Sequence, residues 1–163
     1  KSEGFTVSDR PSPGDIRVVR PSLSETGLNR LALVISVDNS TRAARIVPAT
    51  NETEHACDRD VRVGGTDTHL AFELMIECDL VATVWCSQID KQVGKLSDSL
   101  FDSVVAAVAG NFEGIESSRR GPRIRGPADP RWGYRETELD SLNVLSKECM
   151  SRLIDGGNTH ENL

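Results

Sequence analysis

Residues able to do metal or redox chemistry are few in this 163-residue chain and poorly spaced for it. Cys57, Cys78, Cys86 and Cys149 form no C-x-x-C pair, and His55, His69 and His160 stand alone, so a zinc-type ligand set is not encoded. Reduced, buried thiols are the expected state, and neither a metal nor a small-molecule cofactor is expected. Asp15 and Asp79 sit beside turn residues and read as hydrogen-bonding carboxylates rather than catalytic bases. The densest chemistry lies late in the chain. Arg119, Arg120, Arg123, Arg125, Arg131 and Arg135 surround Trp132 and Tyr134, a mixture of cations for phosphate and rings for bases. The same composition also fits a solvated linker whose aromatics merely pack.

Charge limits where such contacts could sit. The formal net charge is −6, with 11 Lys/Arg against 16 Asp/Glu in residues 1–112 and 8 against 9 in 113–163. Phosphate contacts supply most non-specific affinity for nucleic acid, so any such site must be local. With 37% hydrophobic and 27% charged residues the chain is in the ordinary globular range. No apolar run approaches the roughly 20 residues of a membrane span, and KSEGFTVSDRPSPGD has no apolar signal-peptide core; a cytoplasmic protein with no membrane partner is expected.

The elements that must position these residues are short. Residues 1–13 form a polar leader. Gly14–Arg20 alternates enough to read as a half-buried strand, Leu31–Val37 is a nearly continuous apolar run of the central-strand kind, and Asp38-Asn39-Ser40 turns it into a third strand, Ala43–Pro48. Asp60–Val63, Phe72–Cys78 and Leu80–Trp85 supply further β-type sequence. Short, closely spaced strands favour a barrel or sandwich. Ser97 stands at an N-cap position, Leu100, Phe101, Val104, Val105 and Val108 recur at helical spacing, and Gly110 sits where the helix should stop. Residues 111–135 read as an Arg/Gly/Pro-rich linker and 136–157 as an amphipathic helix bearing Leu139, Leu142, Leu145, Cys149, Met150 and Leu153, closed by Gly156-Gly157, with a polar tail at 158–163.

Two blocks of sequence carry a resemblance. The first is Gly14-Asp15-Ile16 followed by Gly27-Leu28-Asn29-Arg30-Leu31-Ala32-Leu33-Val34-Ile35-Ser36; the second is Glu77-Cys78-Asp79-Leu80-Val81-Ala82-Thr83-Val84, then Val93-Gly94-Lys95-Leu96-Ser97 and the helix. In order and spacing, residues 14–110 resemble the MazF/PemK (Kid) toxins, the ribosome-independent RNA-cleaving partners of type II toxin–antitoxin systems. The resemblance implies a mostly β fold with helices: a small SH3-like barrel of the MazF/PemK/CcdB kind, here with a C-terminal helical extension.

It also implies a homodimer, a cognate antitoxin, and metal-independent cleavage of single-stranded RNA, in which the 2′-hydroxyl attacks the phosphodiester. The family's catalytic Arg and Thr correspond to Arg30 and Thr50, with Arg17, Asn29, Arg42, Arg45 and Asn51 as RNA-contacting candidates. The chemistry suits those side chains, because a guanidinium fork fits phosphoryl oxygens and a Thr hydroxyl donates or accepts at the same centre. On spacing alone, Arg30 is a strand-edge charge and Thr50 a turn residue.

The sequence departs from the family pattern at three places: Leu31 replaces a Pro, Ala82 replaces an Arg, and the barrel is acidic. These favour a second reading, a non-catalytic MazF/PemK-like barrel acting as a protein-binding or regulatory module. Family toxins end near the equivalent of Gly110, and their antitoxins lie over the toxin's groove. The extra segment is therefore either an internal inhibitor of that kind or a cationic RNA track.

Overall fold

The structure is a computed structural model that describes residues 10–22 and 28–161, with side chains through Ile154. Seven strands follow in order: β1 (Asp15–Val19), β2 (Arg30–Asp38), β3 (Ala43–Thr50), β4 (Asp60–Val63), β5 (Leu74–Glu77), β6 (Ala82–Trp85) and β7 (Ile89–Lys95). The helices are α1 (Gly65–Thr68), α2 (Asp98–Val108) and α3 (Pro130–Glu161). All pairings are antiparallel along the path β4-β5-β3-β2-β1-β7. β3 is shared along its length, giving Ala43–Ile46 to β6 and Ala49–Thr50 to β5. The expected mostly β class with helices holds.

The apolar run of β2 has a simple cause. Leu33 and Ile35 point into one core with Val47, Val61, Leu74, Ile76 and the α2 residues Val104 and Ala107. Ala32 and Val34 point to the other face, with Ala44, Ile46, Ala82, Val84, Ile89 and the α3 residues Leu142 and Leu145. A strand covered on both faces has no polar side to present, so its pattern is continuous rather than alternating. Each helix therefore covers one face of the same sheet. α2 ends where expected: Gly110 takes a φ of +96°, and the N–H groups of Gly110 and Asn111 reach Ala107 and Ala106 carbonyls, a Schellman stop.

The differences from the sequence reading that bear on the site concern β7 and α3. β7 was not anticipated, because Asp90, Lys91 and Gln92 interrupt its apolar residues. α3 begins at Pro130 instead of 136: Asp129 accepts the Arg131 N–H at 3.1 Å, and Pro at the first helical position gives up no needed hydrogen bond. α3 also continues through Gly156-Gly157 to Glu161, since a glycine weakens a helix by about 1 kcal/mol without ending it.

Residues 111–129 lie strapped to the sheet. Arg119 pairs with Asp67 at 2.9 Å and donates to the Arg62 carbonyl. Arg120 donates to the Asp58 carbonyl and covers the Phe112 ring at 4.4 Å. Gly121 donates to the Cys57 carbonyl, and a Cβ on it would fall 2.1 Å from the Ala56 oxygen, so only glycine permits this approach. These arginines are committed to holding the segment down. Arg123 and Arg125 remain exposed. Among the described residues, no helix is long and apolar enough to cross a membrane.

Candidate active site

Arg30 opens β2 and Thr50 closes β3. Leu31 lies opposite Ala49 in the antiparallel register, which brings the next positions outward, Arg30 and Thr50, to the same end of the hairpin. β5 places Met75 opposite Thr50 and ends at Glu77. Asn29 and Asn51 flank the pair on the exposed side.

α3 lies across this end. Arg30 donates from both terminal nitrogens to the Glu138 carboxylate, at 2.5 and 2.7 Å, and reaches Ser141 Oγ at 3.4 Å. Tyr134, one turn earlier, donates its hydroxyl to Glu138 Oε1 at 2.9 Å, and its oxygen also interacts with the Thr50 hydroxyl. The Tyr134 ring stacks on His55 with centroids 4.3 Å apart and planes 12° from parallel. Thr50 Oγ1 accepts the Glu52 N–H at 3.2 Å.

The electrostatics follow from that packing. Burial works to lower the Arg30 pKa and to raise that of Glu138. Their paired hydrogen bonds and opposite charges outweigh it, holding Arg30 above and Glu138 below its ordinary value. Glu77 is fully buried, and its burial, reinforced by the neighbouring Glu138 carboxylate, pushes its carboxyl up to about 9. Burial likewise raises the Tyr134 phenol, against a smaller opposing effect from Thr50. At neutral pH the site therefore holds a charged pair, Arg30 and Glu138, beside a neutral Glu77 acid.

A second ion pair seats the start of α3. Arg135 donates to the buried Asp60 at 2.8 Å and also pairs with Asp79; Asp60 in turn accepts the Cys57 N–H at 2.8 Å. Below these polar contacts Leu142, Leu145 and Cys149 are buried. The buried stripe of α3 is thus narrower than the sequence implied, because Leu139 and Met150 are exposed. Ala82 lies in the core beneath this helix with Leu142 and Leu145. An arginine at 82, as in the family pattern, would be buried under α3 without a place for its charge.

Three of the RNA-contacting candidates are not brought to this site. Arg17 is 2% exposed and donates to Asp15, to the Asp90 carbonyl and to the Arg10 carbonyl; it is not the RNA contact expected, because alternation along β1 does not reveal which charged residue the sheet encloses. Asp15, which also accepts the Ser12 N–H and a Gln92 amide hydrogen, is the structural carboxylate expected. Arg42 is at the far end of β3, about 26 Å from Thr50 at the usual strand rise. There it lines a separate cleft of about 890 Å³ with Arg20, Trp85, Glu148 and Arg152. Arg45 is exposed midway along β3, opposite Thr83.

Sequence reasoning missed His55, Glu77 and Glu138, and named Tyr134 only as a ring that could stack on a base. A signal for Glu138 and for the helical setting of Tyr134 is present in the sequence: Tyr134, Glu138, Leu142, Leu145 and Cys149 are spaced as one helix face. Nothing local distinguishes His55 or Glu77. Among the described residues no cluster could hold a metal ion.

Comparison with known proteins places the chain in a family. Residues 12–112 match the PemK-like, MazF-like toxin of type II toxin–antitoxin systems; the chain belongs to this family. Solved structures with a similar fold include the Mycobacterium tuberculosis toxin MazF-mt6, at 18% identity and a TM-score of 0.46, covering 63% of this chain and 98% of that one. MazF from Deinococcus radiodurans is 20% identical with a TM-score of 0.48, covering 64% and 94%. An endoribonuclease in complex with its cognate antitoxin, from a mycobacterial species, is 16% identical with a TM-score of 0.47, covering 63% and 93%. Comparison with curated protein sequences gives no significant match.

Proposed function

We propose that the chain is a toxin-type endoribonuclease that cuts single-stranded RNA without a metal, using Arg30 and Thr50. The observation that supports this most is the state of Arg30, whose guanidinium fork grips a carboxylate through two parallel hydrogen bonds beside the Thr50 hydroxyl. A fork that holds a carboxylate this way is shaped to hold two phosphoryl oxygens.

In the proposed reaction the substrate's 2′-oxygen bonds to the adjacent phosphorus while the bond from phosphorus to the 5′-oxygen breaks, leaving a 2′,3′-cyclic phosphate. The proton lost by the 2′-hydroxyl and the one gained by the leaving oxygen must pass through groups at the site. Arg30 stabilises charge on the phosphoryl oxygens, and Thr50 hydrogen-bonds at the same centre. Glu77 is the acid beside them. Asn29 and Asn51, exposed on either side of the pair, are the candidates to meet the flanking backbone. A second copy of the chain and a cognate antitoxin are the proposed protein partners, on the family's pattern, in the cytoplasm.

A second reading, a non-catalytic protein-binding barrel, draws on the net charge of −6 and on the engagement of Arg30 by Glu138. The two separate in one assay: incubation of a long unstructured RNA with the full chain, with chelator present, against its Arg30→Ala and Thr50→Val forms. Cleavage lost in Arg30→Ala supports the enzyme; intact RNA with every folded form, including one freed of the Arg30 contact by Tyr134→Ala and Glu138→Ala, supports the binding module.

A further inference from the structure

We infer that Tyr134 and Glu138 occupy a nucleotide-binding subsite of this chain as a built-in substrate mimic. In this subsite His55 is the platform for a base and Arg30 the fork for its phosphate. This rests on the proposed RNA-cleaving function and names how that site is regulated and what else it grips.

The two side chains reproduce the recognition features of a nucleotide in the right order. Tyr134 presents a flat ring parallel to His55 at 4.3 Å, the arrangement by which single-stranded nucleic-acid sites hold bases on aromatic side chains. Glu138 presents two anionic oxygens to the Arg30 fork, as a phosphate would. One helical turn separates them, a rise of about 6 Å, so ring and anion are held about one nucleotide apart. The Tyr134 hydroxyl fills the space between, touching both Glu138 and Thr50. An acid in that position has a consequence of its own, since Glu138 helps keep Glu77 protonated beside the pair.

The remainder of the segment acts as a tether. Arg135 on Asp60, Arg119 on Asp67, and Leu142 and Leu145 in the sheet's second core hold the mimic at high effective concentration without touching Arg30. The arginine-rich segment therefore serves inhibition here: Arg119, Arg120, Arg131 and Arg135 are spent on the chain's own carboxylates and carbonyls rather than on a track for RNA, and Arg123 and Arg125 alone of its six arginines stay exposed. Because those anchors are separate from the mimic, the ring and carboxylate can be removed while the helix stays seated.

The test uses the full chain carrying Tyr134→Ala and Glu138→Ala together, with its fold checked by circular dichroism and thermal melting. The probe is a single-stranded hexanucleotide of 2′-deoxy sugars, which cannot be cut by 2′-oxygen attack. Vacating the subsite is expected to tighten binding about tenfold to a hundredfold, the range of ordinary site coupling, and to raise the cleavage rate of the matching RNA. In that open background His55→Ala should weaken binding at least about fivefold, as loss of a stacking platform does, and His55→Phe should restore it.

Unchanged affinity in the folded double variant, while Arg30→Ala still abolishes cleavage by the native chain, would overturn the mimic and leave the ribonuclease standing. Absence of binding and cleavage in every form would overturn both. Tightening without any effect of His55→Ala would overturn the base platform.

Discussion

Replacing Glu77 with Gln gives the sharpest test of the electrostatics under α3. The native carboxyl has an ordinary value of 4.5 and is pushed up to about 9 by burial and by Glu138. Between those limits the folded chain keeps a proton that the unfolded chain releases. The stability linked to this group is therefore complete below about pH 4.5 and is lost as pH rises toward 9. One proton corresponds to about 1.4 kcal/mol per pH unit, or about 2.7 kcal/mol between roughly pH 5.5 and 7.5. For a chain of this size that is about 5 to 11 °C in melting temperature. Gln cannot ionise, so its stability relative to the native chain should climb by this amount over the interval. Paired thermal or urea melts at the two pH values read the difference directly. Glu77 and Glu138 interact, so the retained proton belongs to the pair, and Glu138→Gln should flatten the same dependence. A native-minus-variant difference that does not move with pH would show that Glu77 is ionised in the fold, and the reasoning would fail.

Other substitutions test the anchoring of α3. Arg135→Met leaves Asp60 buried without its cation and should destabilise the fold by about 3 to 5 kcal/mol; adding Asp60→Asn, which can still accept the Cys57 N–H, should recover much of it in urea melts. Leu145→Ala removes a fully covered side chain from the sheet's second core and should cost about 2 to 5 kcal/mol, where a loosely docked tail would lose almost nothing. Gly121→Ala drives a methyl into the Ala56 carbonyl and should cost about 1 to 3 kcal/mol, with faster proteolysis of 111–129 as the local readout.

Much of the fold was legible because its signals are local. The apolar run of β2, the Asp38 turn and the Gly110 stop each announce themselves within a few residues. β7 did not, since exposed Asp90 and Lys91 dilute a pattern that only its pairing with β1 makes into a strand. Arg30 and Thr50 were suggested by resemblance, and antiparallel register explains why positions twenty residues apart meet. Glu138 could not be matched to Arg30 from sequence, because the contact joins positions 108 residues apart and depends on where a helix lands. The same limit hid the reason for Ala82: the helix that covers it lies some fifty residues further along the chain.

If Arg30 directs attack by the substrate's own 2′-oxygen, the fragments must carry the mark of that chemistry at their ends. The direct measurement is mass analysis of fragment ends from a defined RNA incubated, with chelator, with the native chain and the Tyr134→Ala/Glu138→Ala form, each with and without Arg30→Ala. Fragments ending in a 2′,3′-cyclic phosphate, absent when Arg30 is replaced and absent when the cut nucleotide carries a 2′-deoxy sugar, are the predicted result. Intact RNA with all folded forms, or cutting that survives Arg30→Ala, would contradict it.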